Sequence, residues 1–76
     1  MKKEFQEALG GQFTTVRDEL FSMAKEAADE IGCDWYEVAD CGEYAAICYT
    51  DDEGEDAEIE IKIENAGSTW YFTEVR

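Results

Sequence analysis

The chain has 76 residues, of which 45% are hydrophobic, including two Trp, four Tyr and four Phe, and its net charge is −14. This length suits one domain with a single core, and the apolar content excludes an intrinsically disordered chain. The acidity excludes a basic surface for nucleic acid or anionic membranes, and the absence of histidine excludes nucleophile pairs that use it as the base.

An amphipathic helical pattern runs through most of the first 31 residues. Its apolar positions recur at steps of three and four: Phe5, Ala8, Leu9, Phe13, Val16, Leu20, Met23, Ala24, Ala27 and Ile31. Gly10 and Gly11 interrupt the pattern, and each costs a helix interior about 1 kcal/mol relative to alanine. Either one helix tolerates both glycines, or a short helix over residues 2–9 precedes a longer one that begins near residues 12–15. We favour the second alternative.

Both ends of the longer helix have sequence signals. Thr14 or Thr15 can serve as its N-cap. Asp18 and Glu19 then place negative charge in the first turn. Gly32 directly follows the last apolar position and suits the left-handed residue with which many helices end.

Beyond Gly32 the helical periodicity gives way to alternation, which predicts strands. The clearest case is residues 58–64, where isoleucine alternates with charged residues without a break. One face of this strand carries Ala57, Ile59, Ile61 and Ile63, and the other carries Glu58, Glu60, Lys62 and Glu64. The first face therefore contributes to a core, and the second presents charged groups about 6.6 Å apart.

Three further strands are predicted over residues 34–39, 43–50 and 68–75. The links between the strands are short and rich in turn residues, at 40–42, 51–56 and 65–67. Because short links join neighbouring antiparallel strands, the four strands should form a meander.

The predicted fold is α+β: a single domain over residues 1–76 in which an N-terminal helical segment packs on one face of a four-stranded antiparallel meander (αββββ). The predicted core residues are Phe13, Val16, Leu20, Ile31, Ile47, Ile59, Ile61 and Ile63. Four strands span about 15–19 Å and one helix about 10 Å, so one helix cannot cover the sheet. The short helix covers the remainder, or part of the sheet stays open to a partner. Some tyrosines should lie on the uncovered face, because strand neighbours point opposite ways.

The three cysteines, Cys33, Cys41 and Cys48, cannot all pair within one chain, and they lack the spacing and the histidine of a zinc site. We interpret them as reduced thiols of a cytoplasmic protein. No apolar run follows Met1 to form a signal peptide, and no stretch approaches transmembrane length. Counting from Asp51, the loop glycine falls at position four rather than at the sixth position of an EF-hand. We expect no catalytic residue, no cofactor, no metal site and no enzymatic activity.

The negative charge is concentrated in one half of the chain. Residues 29–64 hold fourteen acids and a single base, Lys62, whereas residues 1–28 hold five acids and four bases. A plain solvated surface is one explanation, but solubility does not require this excess, and halophilic adaptation would load every surface. The pattern favours an anionic docking surface for a protein that grips phosphates with Lys and Arg.

The expected contact surface combines the acidic loop at residues 51–56, the charged face of the strand at 58–64 and nearby tyrosines. Its residues are Asp51, Asp52, Glu53, Glu55, Asp56, Glu58, Glu60, Glu64, Tyr44 and Tyr71. In size, charge and lack of catalytic residues, the chain resembles phage-encoded counter-defence proteins, namely anti-CRISPR and antirestriction DNA mimics. The resemblance implies a small inhibitor in the bacterial host cytoplasm. Its partner would be a basic nucleic-acid-binding protein or complex, with a CRISPR effector slightly favoured over a restriction enzyme. The charge itself argues against direct binding to nucleic acid or to a membrane.

Two alternatives remain open. An antitoxin or immunity protein that neutralises a basic nuclease or toxin of the same cell would need almost the same surface. An acidic assembly or interaction module, such as a homodimer formed through an open sheet edge, would have no inhibitory role.

Overall fold

The computed structural model describes residues 1–76, which form two helices and five strands. In chain order these are α1 (Lys2–Leu9), β1 (Phe13–Thr14), α2 (Glu19–Glu30), β2 (Trp35–Asp40), β3 (Tyr44–Thr50), β4 (Asp56–Ala66) and β5 (Thr69–Val75). Every strand pair is antiparallel, and the order across one curled sheet is β1-β5-β4-β3-β2. The α+β class is confirmed. The predicted four-stranded sheet is wrong by one strand, because β1 pairs with the edge of β5.

The two helices are separate, as the glycine pair predicts. Gly10 ends α1 with extended backbone, and Gly11 follows with a φ of 80°. Glycine reaches that left-handed conformation without steric cost, and the helix cannot continue through it. The chain instead extends and pairs with β5 through Phe13 and Thr14.

The start of α2 lies later than predicted, at Glu19, with Asp18 rather than Thr14 or Thr15 as the N-cap. The Thr14 hydroxyl donates to Glu19 Oε2 at 2.7 Å and accepts from the N–H of Val16 at 3.1 Å. This local turn satisfies backbone and side-chain groups without a helix. The segment before α2 is therefore a strand and a turn.

Gly32 ends α2 as predicted, with a φ of 74°. Its N–H donates to the carbonyl of Asp29 at 3.2 Å, and the N–H of Cys33 donates to the carbonyl of Ala28 at 2.9 Å. These are the two bonds of a Schellman motif. Cys33 and Ala28 are both buried, so the end of the helix is anchored in the core.

The core lies between the two helices and the inner face of the sheet. Its helical members are Phe5, Leu9, Leu20, Ala24, Ala27 and Ala28, and its main strand members are Ala45, Ile47, Ile59, Ile61, Ile63 and Phe72. Ala45 lies opposite Ile61, and Ile47 lies opposite Ile59. A one-residue slip would expose these side chains, so the alternation determines the register of β3 and β4.

Most of the predicted core is confirmed: Leu20, Ile47, Ile59, Ile61 and Ile63 are buried. Ile31 is half-buried. The predictions of Phe13 and Val16 are wrong, since these side chains are 70% and 50% exposed. Steps of three and four residues place side chains on one face only within a helix, and Phe13 and Val16 lie in a strand and a turn, so their spacing from Leu20 does not bring them into the core.

Arg17, between β1 and α2, reaches the other end of the strand order. Its Nη1 and Nη2 donate to Asp40 Oδ2 and Oδ1 at 2.7 and 2.8 Å, and Nη2 also donates to the carbonyl of Gly42 at 2.7 Å. Its guanidinium lies over the rings of Phe21 and Trp70, 5.4 and 5.7 Å from their centroids. One side chain therefore connects α2, β5 and the turn that follows β2.

Neither helix of the fold is long and apolar enough to cross a membrane.

Candidate functional site

The outer face of the sheet is the surface that neither helix covers. It is formed by the strand side chains that point away from the core: Phe13, Tyr36, Glu37, Ala39, Tyr44, Ala46, Cys48, Asp56, Glu58, Glu60, Lys62, Glu64 and Tyr71. The strand register places these side chains in rows that cross the sheet. Glu37, Cys48 and Glu58 form one such row across β2, β3 and β4.

Five carboxylates lie on this face, four on β4 and Glu37 on β2. Glu64 alone has a cationic partner there, because Lys62 Nζ lies 3.3 Å from its Oε1. The other three ion pairs of the protein lie elsewhere. With five acids and one base, the outer face carries a net charge of −4.

Two of the unpaired carboxylates on β4 lie beside tyrosine side chains. Hydrogen bonding to Glu60, with the charge of that carboxylate, raises the pKa of Tyr44. Partial loss of solvent, followed by the charge of Asp56, raises the pKa of Tyr36. Both phenols therefore stay protonated at neutral pH and present hydrogen-bond donors to the carboxylates.

Cys48 lies between two acids. Its Sγ is 4.0 Å from Glu58 Oε1. Loss of solvent contact, then the charges of Glu58 and Glu37, raise the pKa of this thiol. Since the thiolate is the nucleophilic form, this environment suppresses nucleophilic chemistry at Cys48. Burial likewise raises the pKa of Cys33, while Cys41 is exposed, and all three cysteines are unpaired.

The opposite end of the outer face is aromatic. Glu64, Tyr71 and Phe13 lie side by side across β4, β5 and β1. Phe13 is 70% exposed and Tyr36 is 57% exposed, while Tyr44 and Tyr71 are half-buried. Three of the four tyrosines are thus on the uncovered face, which confirms the expectation that some of them lie there.

The acidic loop joins β3 to β4. Asp51 Oδ1 accepts from the N–H groups of Glu53 and Glu55, both at 2.9 Å, so this carboxylate holds the turn. Asp52, Glu53 and Glu55 are exposed. Because the loop leads directly into Asp56, its charges extend the row of β4 carboxylates past the end of the sheet.

The remaining acids of residues 29–64 lie away from the outer face and the loop. They are Asp29, Glu30, Asp34, Asp40 and Glu43. Two of them have structural partners: Asp29 Oδ1 accepts from Trp35 Nε1 at 2.7 Å, and Asp40 pairs with Arg17. Nine of the fourteen acids therefore share one connected surface.

All ten residues predicted to contact a partner lie on the outer face or in the acidic loop, and their role in binding stays a prediction. The sequence patterns missed Tyr36 and Glu37, because a bulge between Trp35 and Glu37 breaks the alternation of β2. They also missed Phe13, whose helical spacing placed it in the core. Cys48 was overlooked, although its place next to buried Ile47 predicts an outward position.

Two shallow cavities lie away from the outer face. One, of about 330 Å³, is lined by residues that include Leu9, Ile61 and Phe72, and the other, of about 300 Å³, lies beside Glu4 and Asp52. No group of three or more His, Cys, Asp or Glu side chains is arranged to hold a metal ion.

Comparison with protein-family models, with curated proteins and with solved structures finds no match to this chain in any of the three. The chemistry of the outer face and the acidic loop is therefore the basis on which function is assigned.

Proposed function

We propose that this protein is a small, non-catalytic inhibitor that binds the nucleic-acid-binding surface of a larger basic protein and excludes the nucleic acid. Its proposed target is of the kind that phage counter-defence proteins inhibit, namely a CRISPR effector complex or a restriction enzyme. The observation that carries the proposal is the uncovered outer face, on which four of five carboxylates have no cationic partner.

The spacing of these charges supports the comparison with a nucleic acid. Asp56, Glu58 and Glu60 follow one another at two-residue intervals on β4, about 6.6 Å apart. Duplex DNA presents one phosphate per about 3.4 Å of axis along each strand. Lys and Arg side chains that are arranged to contact phosphates therefore meet a regular row of negative charges on β4, at about half the linear charge density of one DNA strand.

The neighbouring donors support preorganisation of the surface. Tyr44 and Cys48 lie beside Glu60 and Glu58 on β4, so each of these two carboxylates has a neighbouring donor that favours one orientation before a partner arrives. A carboxylate that is already oriented loses less rotamer freedom on binding, and more of the interaction free energy appears as affinity.

The test is competition for labelled target DNA, using purified CRISPR effector complexes and restriction enzymes of known DNA affinity. We expect the wild-type protein to displace DNA from one of these enzymes. The double variant Glu58→Gln and Glu60→Gln should compete about tenfold more weakly, because it loses two central charges and keeps the side-chain shapes.

A matched control is available on α2, where Glu26 and Glu30 are exposed and lie away from the sheet face. Glu26→Gln with Glu30→Gln changes net charge by the same amount and should compete like wild type. Equal weakening by both pairs would indicate a general charge effect and contradict a site on the outer face. Failure to displace DNA from any enzyme of the panel would contradict the inhibitor proposal.

A further inference from the structure

The aromatic end of the outer face is the least explained surface of the fold. Phe13 is the most exposed large hydrophobic side chain, at 70%, although it belongs to a hydrogen-bonded strand. Its ring stands beside Tyr71, and Tyr71 stands beside Glu64. Two rings and one carboxylate are thus aligned across three strands and open to solvent.

The same combination occurs inside this protein with its arginine present. Arg17 lies over the rings of Phe21 and Trp70 and forks onto Asp40. The guanidinium there satisfies both requirements at once, since its plane stacks on aromatic faces while its N–H groups bind a carboxylate in pairs. The outer row offers a comparable set of groups without a guanidinium, since its only cation is the Lys62 ammonium beside Glu64.

We propose that the partner presents an arginine, rather than a lysine, to the row formed by Phe13, Tyr71 and Glu64. This inference rests on the proposed function, because it names the side chain that anchors the basic partner. The charge of the surrounding face attracts either cation, whereas a planar, weakly hydrated guanidinium gains more from the two rings than an ammonium does. The row therefore supplies selectivity, and the acidic face supplies long-range attraction.

Lys62 does not block this position. Its ammonium lies 3.3 Å from Glu64, and the side chains of this pair are 39% and 40% exposed. Such exposed pairs contribute little net stability, so an incoming bidentate arginine can displace the lysine.

The probes are nona-arginine and nona-lysine peptides, titrated by calorimetry at low salt into the full chain. We expect nona-arginine to bind about three- to tenfold more tightly than nona-lysine. Phe13→Leu should abolish this preference by weakening nona-arginine alone, and Phe13→Trp should retain it. Val16→Ala, which trims an exposed apolar side chain outside the row, should behave like wild type.

Circular dichroism of each variant checks the fold, and Phe13→Leu keeps an apolar side chain of similar size in β1. Equal affinity of the two peptides, or a preference that survives Phe13→Leu, would overturn the arginine inference and leave the docking surface intact. Failure of both peptides to bind would overturn the arginine inference and the docking surface together, whereas weakening of both peptides by Glu58→Gln and Glu60→Gln supports the wider surface.

Discussion

Arg17 shows how much of this small fold depends on one side chain. Its fork onto Asp40 and its contacts with two rings join segments that are distant in sequence. Because one charge is already fixed by stacking, the ion pair with Asp40 loses less side-chain entropy than an isolated surface pair. We therefore expect Arg17 and Asp40 to stabilise the fold by joining β2 to α2 and β5.

The pH dependence of stability tests this role. Hydrogen bonding from Arg17, then from the N–H of Gly42, lowers the pKa of Asp40 from 3.8 to about 2. Since the folded-state pKa lies below the unfolded value, the stabilisation is complete above about pH 4 and is lost as the pH falls through about 2. Asp40→Asn should thus lower the urea midpoint at pH 7, and its deficit should shrink between pH 4 and pH 2.

The control for this experiment is Asp52→Asn, which removes an exposed carboxylate of the acidic loop and should not reduce the midpoint at pH 7. Both Asp40 and Arg17 are partly exposed, so the expected effect is modest. A deficit of Asp40→Asn that is constant across the whole pH range would show that the carboxylate charge is not involved.

At the level of elements, the most defined boundary is the end of α2. Gly32 has a φ of 74°, and an added Cβ would meet no atom within 4 Å. A side chain at this position therefore costs free energy through the unfavourable backbone conformation and not through a clash with a neighbouring atom. The Schellman bonds then position Cys33 and the start of β2.

Gly32→Ala should lower the free energy of unfolding by about 1 kcal/mol, because the left-handed conformation is unfavourable for alanine. Alanine also lowers the conformational entropy of the unfolded chain, but this stabilising effect offsets only part of that cost. Gly32→Asn should lose less, since asparagine tolerates this conformation. Urea unfolding of the three proteins gives the ranking. An alanine variant as stable as wild type would mean that the turn rearranges.

β1 is the element that helical periodicity could not reveal. Its two residues pair with β5, and the register turns Phe13 outward and Thr14 inward. Pairing with a strand almost sixty residues later is a non-local contact, which the apolar spacing of residues 5–31 does not encode. The exposure of the Phe13 ring on the outer face therefore arises from tertiary pairing.

For the whole molecule, repulsion between carboxylates is the main electrostatic cost. Of the fourteen acids in residues 29–64, only Asp40 and Glu64 are in ion pairs. Two carboxylates about 7 Å apart repel by about 0.6 kcal/mol in water, and neighbours on β4 stand at this distance. A protein without a use for the outer face would gain stability by losing these charges.

Salt should accordingly stabilise the fold. Raising NaCl from about 20 to 500 mM shortens the screening length, so the urea midpoint should rise. Glu58→Gln with Glu60→Gln should start about 1 kcal/mol more stable at low salt and gain less from added salt. Lys25→Gln, which removes a positive charge from α2, should shift stability in the opposite direction at low salt. A midpoint that is independent of salt would show that repulsion does not limit stability.

Much of this architecture follows from local patterns. The strict alternation of β4 determines which face is buried, because residues two positions apart in a strand point to the same face and all three isoleucines therefore share one side. The helix ends are likewise marked locally, by Gly10 with Gly11 and by Gly32, because the backbone freedom of glycine is a property of the residue itself and needs no distant partner. The class of the fold and the position of the β4 carboxylates were therefore available from the amino-acid order alone.

Tertiary structure decided the rest. The fifth strand, the outward position of Phe13 and the fork of Arg17 onto Asp40 each depend on partners far along the chain, which periodicity does not specify. The bulge in β2, which brings Tyr36 and Glu37 to the acidic face, depends on pairing with β3. Local patterns determined where the charge lies, and long-range pairing decided which aromatic groups stand beside it.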